Sequence, residues 1–143
     1  MSFSTQIQRF VDSAQSDIDN TVRGIELKIA ESLIDMSPVG NPDLWKGSPP
    51  PGYVGGRFRG NWQFSTGKAA SGTLSAIDAN GGATKSKLAD AISKAVSGDV
   101  HFITNNLPYS LELEYGHSSQ APNGMVRLTV ARFQSIVRQI ARK

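Results

Sequence analysis

The feature that most constrains the fold is a regular apolar pattern over the first 36 residues. Its apolar residues recur every three or four positions, which places them on one side of an α-helix. Such a helix is roughly 45 to 50 Å long, more than the core of one small domain covers. We therefore expect part of the stripe to face another chain, unless the helix bends or breaks near Gly24. The stripe consists of Phe3, Ile7, Phe10, Ala14, Ile18, Val22, Ile25, Ile29 and Leu33.

A segment rich in proline and glycine follows the helix and occupies residues 37–56. It holds five of the seven prolines of the chain, and Ser37-Pro38 at its start ends the helix. Trp45 and Tyr53 are large aromatic residues, which bury their rings against a surface when they lie on a loop. We predict that they contact a partner protein. A loop folded back over its own sheet is the alternative.

The middle of the chain predicts a small antiparallel sheet and one helix. Residues 57–66 alternate between polar and apolar side chains, as in a half-buried strand, and residues 72–78 are the predicted hairpin partner. An amphipathic helix is predicted within residues 84–96, and residues 99–106 return to a strand.

The last third predicts two further helices separated by a loop. Pro108 and Gly116 favour a short helix over residues 107–115, although the alternating apolar residues there would also fit a strand. From Met125 onward a final helix is predicted to bury one apolar stripe in the core. That stripe consists of Val126, Val130, Phe133, Val137 and Ile140.

These elements define an α+β fold with a long N-terminal helix, a small antiparallel sheet, short helices and a C-terminal helix packed on the sheet. Residues 1–143 are predicted to form a single domain, because neither a repeat nor a change in composition marks a second one. The chain has no cysteine, which excludes disulfides and thiolate metal sites. It also has no signal peptide and no apolar run of about 18 residues, so we expect a soluble protein without membrane contact.

Candidate catalytic residues are few, and their spacing argues against an enzyme. Glu112 and Glu114, with His117 close behind, suggest acid-base chemistry, but residues two apart on a helix point in different directions. His101 and His117 are sixteen residues apart and lack a metal-binding pattern. No phosphate-binding loop or nucleophile motif occurs. We predict no catalytic, cofactor or metal site.

Charge is distributed unevenly along the chain. Residues 1–56 contain four basic and seven acidic residues, whereas residues 57–143 contain eleven basic and five acidic residues. Arg57 and Arg59 flank Phe58, a mixture of basic and aromatic side chains that can contact nucleic acid. Phe58 and Trp62 share the predicted core face, so packing in the core explains these aromatic residues better than stacking on bases. Arg57 and Arg59 are the hypothesis for side chains that face DNA.

Five short motifs occur in order along most of the chain. They are SPV at residues 37–39, GRFR at 56–59, NNLPY at 105–109, LEYG at 113–116 and QAPNGMVR at 120–127. These motifs resemble those of the neck or tail-completion protein family of long-tailed bacteriophages. The resemblance is interrupted between the first two motifs, which nearly touch in many members but are separated here by residues 40–55.

The resemblance implies a structural virion protein that forms a ring, of six copies, around the DNA channel of the phage neck. Such a ring completes the tail and joins it to the filled head, without catalysis. The implied partners are the head connector or adaptor, the tail terminator or tail-tube proteins, and DNA contacted without sequence preference. The implied location is the virion neck or tail, with assembly in the host cytoplasm. A tail terminator and a virion-associated cell-wall hydrolase are the alternatives.

Overall fold

The structure is a computed structural model that describes residues 2–40, 55–116 and 118–141. The predicted α+β fold class, with a long first helix and a small antiparallel sheet, is confirmed. Most of the described chain is helical. The elements are α1 (Phe3–Met36), a 3-10 turn (Arg59–Asn61), β1 (Gln63–Thr66), α2 (Gly82–Ser93), β2 (His101–Thr104), α3 (Ser110–Glu114), α4 (Val126–Ala131) and α5 (Phe133–Ala141).

Helix α1 is one continuous helix of 34 residues, without the break that Gly24 could have caused. Ser2 caps its start by accepting a hydrogen bond from the Thr5 N–H at 3.2 Å. At its end, the Ser37 hydroxyl donates to the Leu33 carbonyl at 2.6 Å, which satisfies one of the free carbonyls of the last turn.

Only the C-terminal part of α1 contributes to the buried core. The core joins that part of α1 to the 3-10 turn, to α2 and to the segments that precede α3 and α4. Phe58 and Trp62 meet edge to face in it, with ring centroids 5.9 Å apart. Its buried members are Ala30, Leu33, Ile34, Phe58, Trp62, Leu88, Ile92, Leu107, Ala121 and Met125.

The strand predicted over residues 57–66 is shorter than expected. The Phe58 carbonyl accepts the Asn61 N–H in the 3-10 turn, and extended structure begins only at Gln63. Phe58 and Trp62 are four residues apart, so one helical turn brings them to the same side just as alternation in a strand would. The sequence pattern therefore identified the buried residues correctly and the local backbone wrongly.

The sheet pairs different segments from those predicted. β1 lies antiparallel to β2, with Gln63 opposite Thr104 and Thr66 opposite His101. Residues 72–78 form no strand, because the side chain of Asn61 takes the place of a strand partner. Its amide oxygen accepts the Leu74 N–H at 2.7 Å and its amide nitrogen donates to the Leu74 carbonyl at 3.1 Å.

The predicted C-terminal helix is two helices that meet at Arg132 and lie against α1. Ser32 and Thr129 share a hydroxyl hydrogen bond of 2.8 Å, and Ile140 approaches Gly24 so closely that a Cβ atom there would lie 2.8 Å from its Cγ2. The C-terminal helices therefore pack on α1, in place of the sheet contact that we expected, and Gly24 leaves room there for Ile140. Without a Cβ atom, the two helices can approach closely.

The apolar stripe of the C-terminal helices is less buried than its spacing predicts. Val126 and Val130 are exposed, and Phe133 keeps 46% of its surface accessible. Val137 and Ile140 are half-buried. The expectation that Phe133 is a core residue is therefore wrong for a single copy of the chain.

Candidate functional site

The five sequence motifs converge on one junction at the C-terminal end of α1. Ser37, in the first motif, is buried and stands at its centre. Its hydroxyl accepts the indole N–H of Trp62 at 2.7 Å while it donates to the last turn of α1. The junction thus ties the end of α1 to the segment that begins β1.

Arg59, in the second motif, holds the same end of α1 with its guanidinium. It donates to the carbonyl oxygens of Ser37 at 2.7 Å and Asp35 at 3.2 Å, and to that of Ala79 at 2.8 Å. A cation at this position is favourable because the C-terminus of a helix carries partial negative charge. Arg59 is therefore occupied within the fold, whereas Arg57 is exposed.

The third and fifth motifs join the junction through amide side chains. Asn105 donates to the Phe58 carbonyl at 2.9 Å, and its own oxygen accepts the Leu107 N–H at 3.3 Å. Gln120 bonds to both the N–H and the carbonyl of Val39, at 2.9 and 2.8 Å. The short helix after Asn105 has the predicted type but begins at Ser110, because Asn105 organises a turn first.

Glu114, in the fourth motif, accepts hydrogen bonds from the start of α4. The start of α4 belongs to the fifth motif. Its carboxylate accepts the backbone N–H groups of Met125, Val126 and Arg127 at 2.8 to 3.0 Å, and the Arg127 Nε at 3.1 Å. Gly124 fits here because it has a φ of +83° and because a Cβ atom would collide with Glu114. LEYG and QAPNGMVR therefore form an elbow in which Glu114 holds the start of α4.

In this environment the side chain of Glu114 is poorly suited to donate a proton. Burial alone would raise its pKa, but the hydrogen bonds from Arg127, Met125 and Val126 outweigh burial and hold the pKa below its usual value. A general acid at neutral pH needs the opposite shift. Glu112 lies on the exposed side of α3, away from this pocket of N–H groups.

His101 forms a nearly buried ion pair with Glu26 between β2 and α1. Its Nδ1 contacts a Glu26 carboxylate oxygen, and its Nε2 lies 2.9 Å from the Val96 carbonyl. Both neighbours are acceptors, so the doubly protonated imidazolium satisfies them best. The hydrogen bond to Glu26 raises the pKa of His101, against an opposing effect of burial.

The other predicted site residues are placed as follows. Trp45, Tyr53 and His117 lie outside the described residues. Across residues 2–40, 55–116 and 118–141, no group of three side chains could hold a metal ion. None of the helices in this part of the chain is both long and apolar enough to cross a bilayer.

The first half of α1 exposes a continuous apolar stripe, here called the outer face of α1. Phe3 and Phe10 keep 77% and 73% of their surface accessible. At 100° per residue the members of this face fall within one stripe about 100° wide. Contiguous exposed apolar patches larger than those usual on monomers mark interaction sites. The outer face consists of Phe3, Ile7, Phe10, Val11 and Ile18.

Comparisons with protein-family models, curated proteins and solved structures gave no match to this chain. The arrangement of its own residues therefore has to carry any functional conclusion. Sequence reasoning found the motif segments but missed Asn61, which is fully buried and satisfied by Leu74 and Arg57. The only signal for it was a polar residue between the two core aromatics.

Proposed function

We propose that this chain is a structural protein of the phage neck, forming a ring that completes the tail and joins it to the DNA-filled head. The observation that carries the proposal is the outer face of α1, an apolar surface that a single copy leaves in water. A protein that works by assembly needs such a surface, since burying it stabilises the assembled form.

The motif junction supports the proposal in a second way. Ser37, Arg59 and Glu114 are each engaged in backbone hydrogen bonds that hold elements together. Residues with these roles are consistent with a protein whose function depends on its shape. The resemblance to tail-completion proteins rests on the same motifs, so it is a resemblance in the parts that build the fold.

The partners follow from the position of the ring in the neck. A head connector or adaptor would meet one side, and a tail terminator or tail-tube proteins the other. Trp45 and Tyr53 stay the predicted contacts with a partner. We assign contact with DNA in the channel to Arg57. Binding of duplex DNA should then be weak, independent of sequence and steeply reduced by salt.

The experiment is to disrupt the gene in the phage that encodes it and to image the lysate by negative-stain electron microscopy. We expect filled heads and tails of normal length that are not joined, with joining restored by purified protein. Tails of abnormal length would identify a tail terminator instead. Normal virions in the absence of the protein would contradict the proposal.

The hydrolase alternative has its own test. Purified protein incubated with peptidoglycan should release no fragments, because Glu114 is held as a carboxylate by N–H donors. Cleavage by the unchanged chain that disappears when both Glu112 and Glu114 are changed to Gln would establish an enzyme.

A further inference from the structure

Two exposed apolar surfaces lie on different elements of the chain. One is the outer face of α1. The other, here called the C-terminal face, consists of Val126, Val130 and Phe133, which are four and three residues apart along α4 and the start of α5. Each is too small to form a core by itself, and each is a helical stripe that another helix can cover.

The two surfaces carry charges of opposite sign. Residues 2–20 hold Arg9 against Asp12, Asp17 and Asp19, a net charge of −2. The segment of α4 and α5 contains no acidic residue. Its basic residues are Arg127, Arg132 and Arg138, of which Arg127 is paired with Glu114. Complementary charge around an apolar patch favours contact between the two surfaces.

The position of α4 and α5 shows which part of α1 remains available. In the same copy they run antiparallel to α1, with Thr129 at Ser32 and Ile140 at Gly24. At 100° per residue, Ser32 lies on the same side of α1 as Phe3 and Phe10. The outer face is thus the uncovered continuation of a surface that already packs against α4 and α5. Residues 3–18 extend it for about 24 Å.

We propose that the outer face of α1 in one copy docks onto the C-terminal face of the next copy. This inference rests on the proposed ring, because a contact between two different surfaces runs head to tail and can close into one. Pairing of two outer faces would bring the two acidic segments together, which costs free energy. The second copy is therefore the occupant that the charges favour.

The test uses purified full-length chains and light scattering coupled to size-exclusion chromatography. Phe10→Asp places a negative charge within the outer face of α1. Val130→Asp does the same in the C-terminal face. Both positions are exposed, so circular dichroism should show folded protein. Ile77→Asp, at an exposed apolar residue on neither surface, is the matched control and should assemble like the unchanged chain.

We expect the unchanged chain to form a closed oligomer, and each single variant to be a monomer at the same concentration. An equal mixture of the two variants should form a dimer of twice the 15.3 kDa chain mass, because one intact contact remains possible. Should either variant fail to fold, Ile7→Asp or Phe133→Asp replaces it on the same surface.

Three results would overturn the inference. The unchanged chain could stay monomeric at high micromolar concentration, Val130→Asp could assemble normally, or the mixture could contain no dimer. None of these would remove the proposed neck function, which is tested separately by joining of heads and tails. Conversely, a dimer in the mixture would uphold the contact even if virions formed without the protein.

Discussion

The Glu114 carboxylate binds both the backbone N–H and the guanidinium of Arg127, thirteen residues further along the chain. This single acidic residue therefore fixes the direction in which the chain enters α4. Its conversion to Gln should reduce the unfolding free energy by about 1 to 3 kcal/mol, because hydrogen bonds to a charged acceptor are lost. Glu112→Gln, on the exposed side of the same helix, should change it by less than about 0.5 kcal/mol. Urea denaturation of both variants measures the difference, and equal values would show that the elbow does not depend on Glu114.

The hydroxyl of Ser37 is the partner of the buried Trp62 indole, and its loss should be costly. Ser37→Ala leaves that N–H without an acceptor in the core, so we expect a loss of about 1 to 3 kcal/mol. Ser93→Ala removes only an exposed bond to the Asp90 carbonyl and is the control. A Ser37 variant as stable as this control would mean that water replaces the hydroxyl.

The His101 pair predicts a particular dependence of stability on pH. Its pKa in the folded chain is above the ordinary value of 6.5, so the pair stabilises the fold fully below about pH 6.5. That contribution is lost as the pH rises through the raised pKa. The difference in unfolding free energy between the unchanged chain and His101→Gln should therefore shrink over the pH range that begins at about 6.5 and extends upward through the raised pKa. A difference that is constant over this range would show that the imidazolium is not the stabilising form.

The sequence predicted the fold where local patterns decide the structure and failed where side chains replace backbone contacts. The apolar stripe predicted α1 because its period matches the helix. The partner of β1 could not be predicted, since the Asn61 amide satisfies the backbone of Leu74 and leaves β1 to pair with a segment 35 or more residues away. The close contact of α5 with α1 uses the absence of a side chain at Gly24. The sequence alone does not show that Ile140 packs against this glycine.

The candidate site shows the same division. The contacts of Glu114 explain the elbow between LEYG and QAPNGMVR, two segments that stood out in the sequence only through the resemblance. The role of Arg59 could not be anticipated, because its three carbonyl partners lie at the end of α1 and at Ala79, both twenty or more residues away in the sequence. Arg57 is its neighbour in sequence, yet it faces solvent.

Gly40 and Gly55, which border residues 41–54, lie side by side, so those residues can be replaced without moving the two ends apart. A Cβ atom on Gly55 would lie 2.2 Å from the Gly40 carbonyl oxygen, so a short Gly-Ser linker can replace residues 41–54. If Trp45 and Tyr53 contact a partner, the melting temperature should stay nearly unchanged while heads and tails remain separate in a complementation assay. A shortened protein that unfolds readily would instead show that the segment stabilises the domain.

The most direct test of the account is the yield of joined particles from phage whose only copy of the gene carries Phe10→Asp. Phe10 is largely exposed in a single copy, so the variant chain should still fold, as circular dichroism of the purified protein would show. We expect electron micrographs of the lysate to show filled heads beside separate tails of normal length, whereas the Ile77→Asp control forms complete virions. Complete, infectious virions from the Phe10→Asp phage, in the number given by the control, would contradict the claim that the outer face of α1 is the assembly surface.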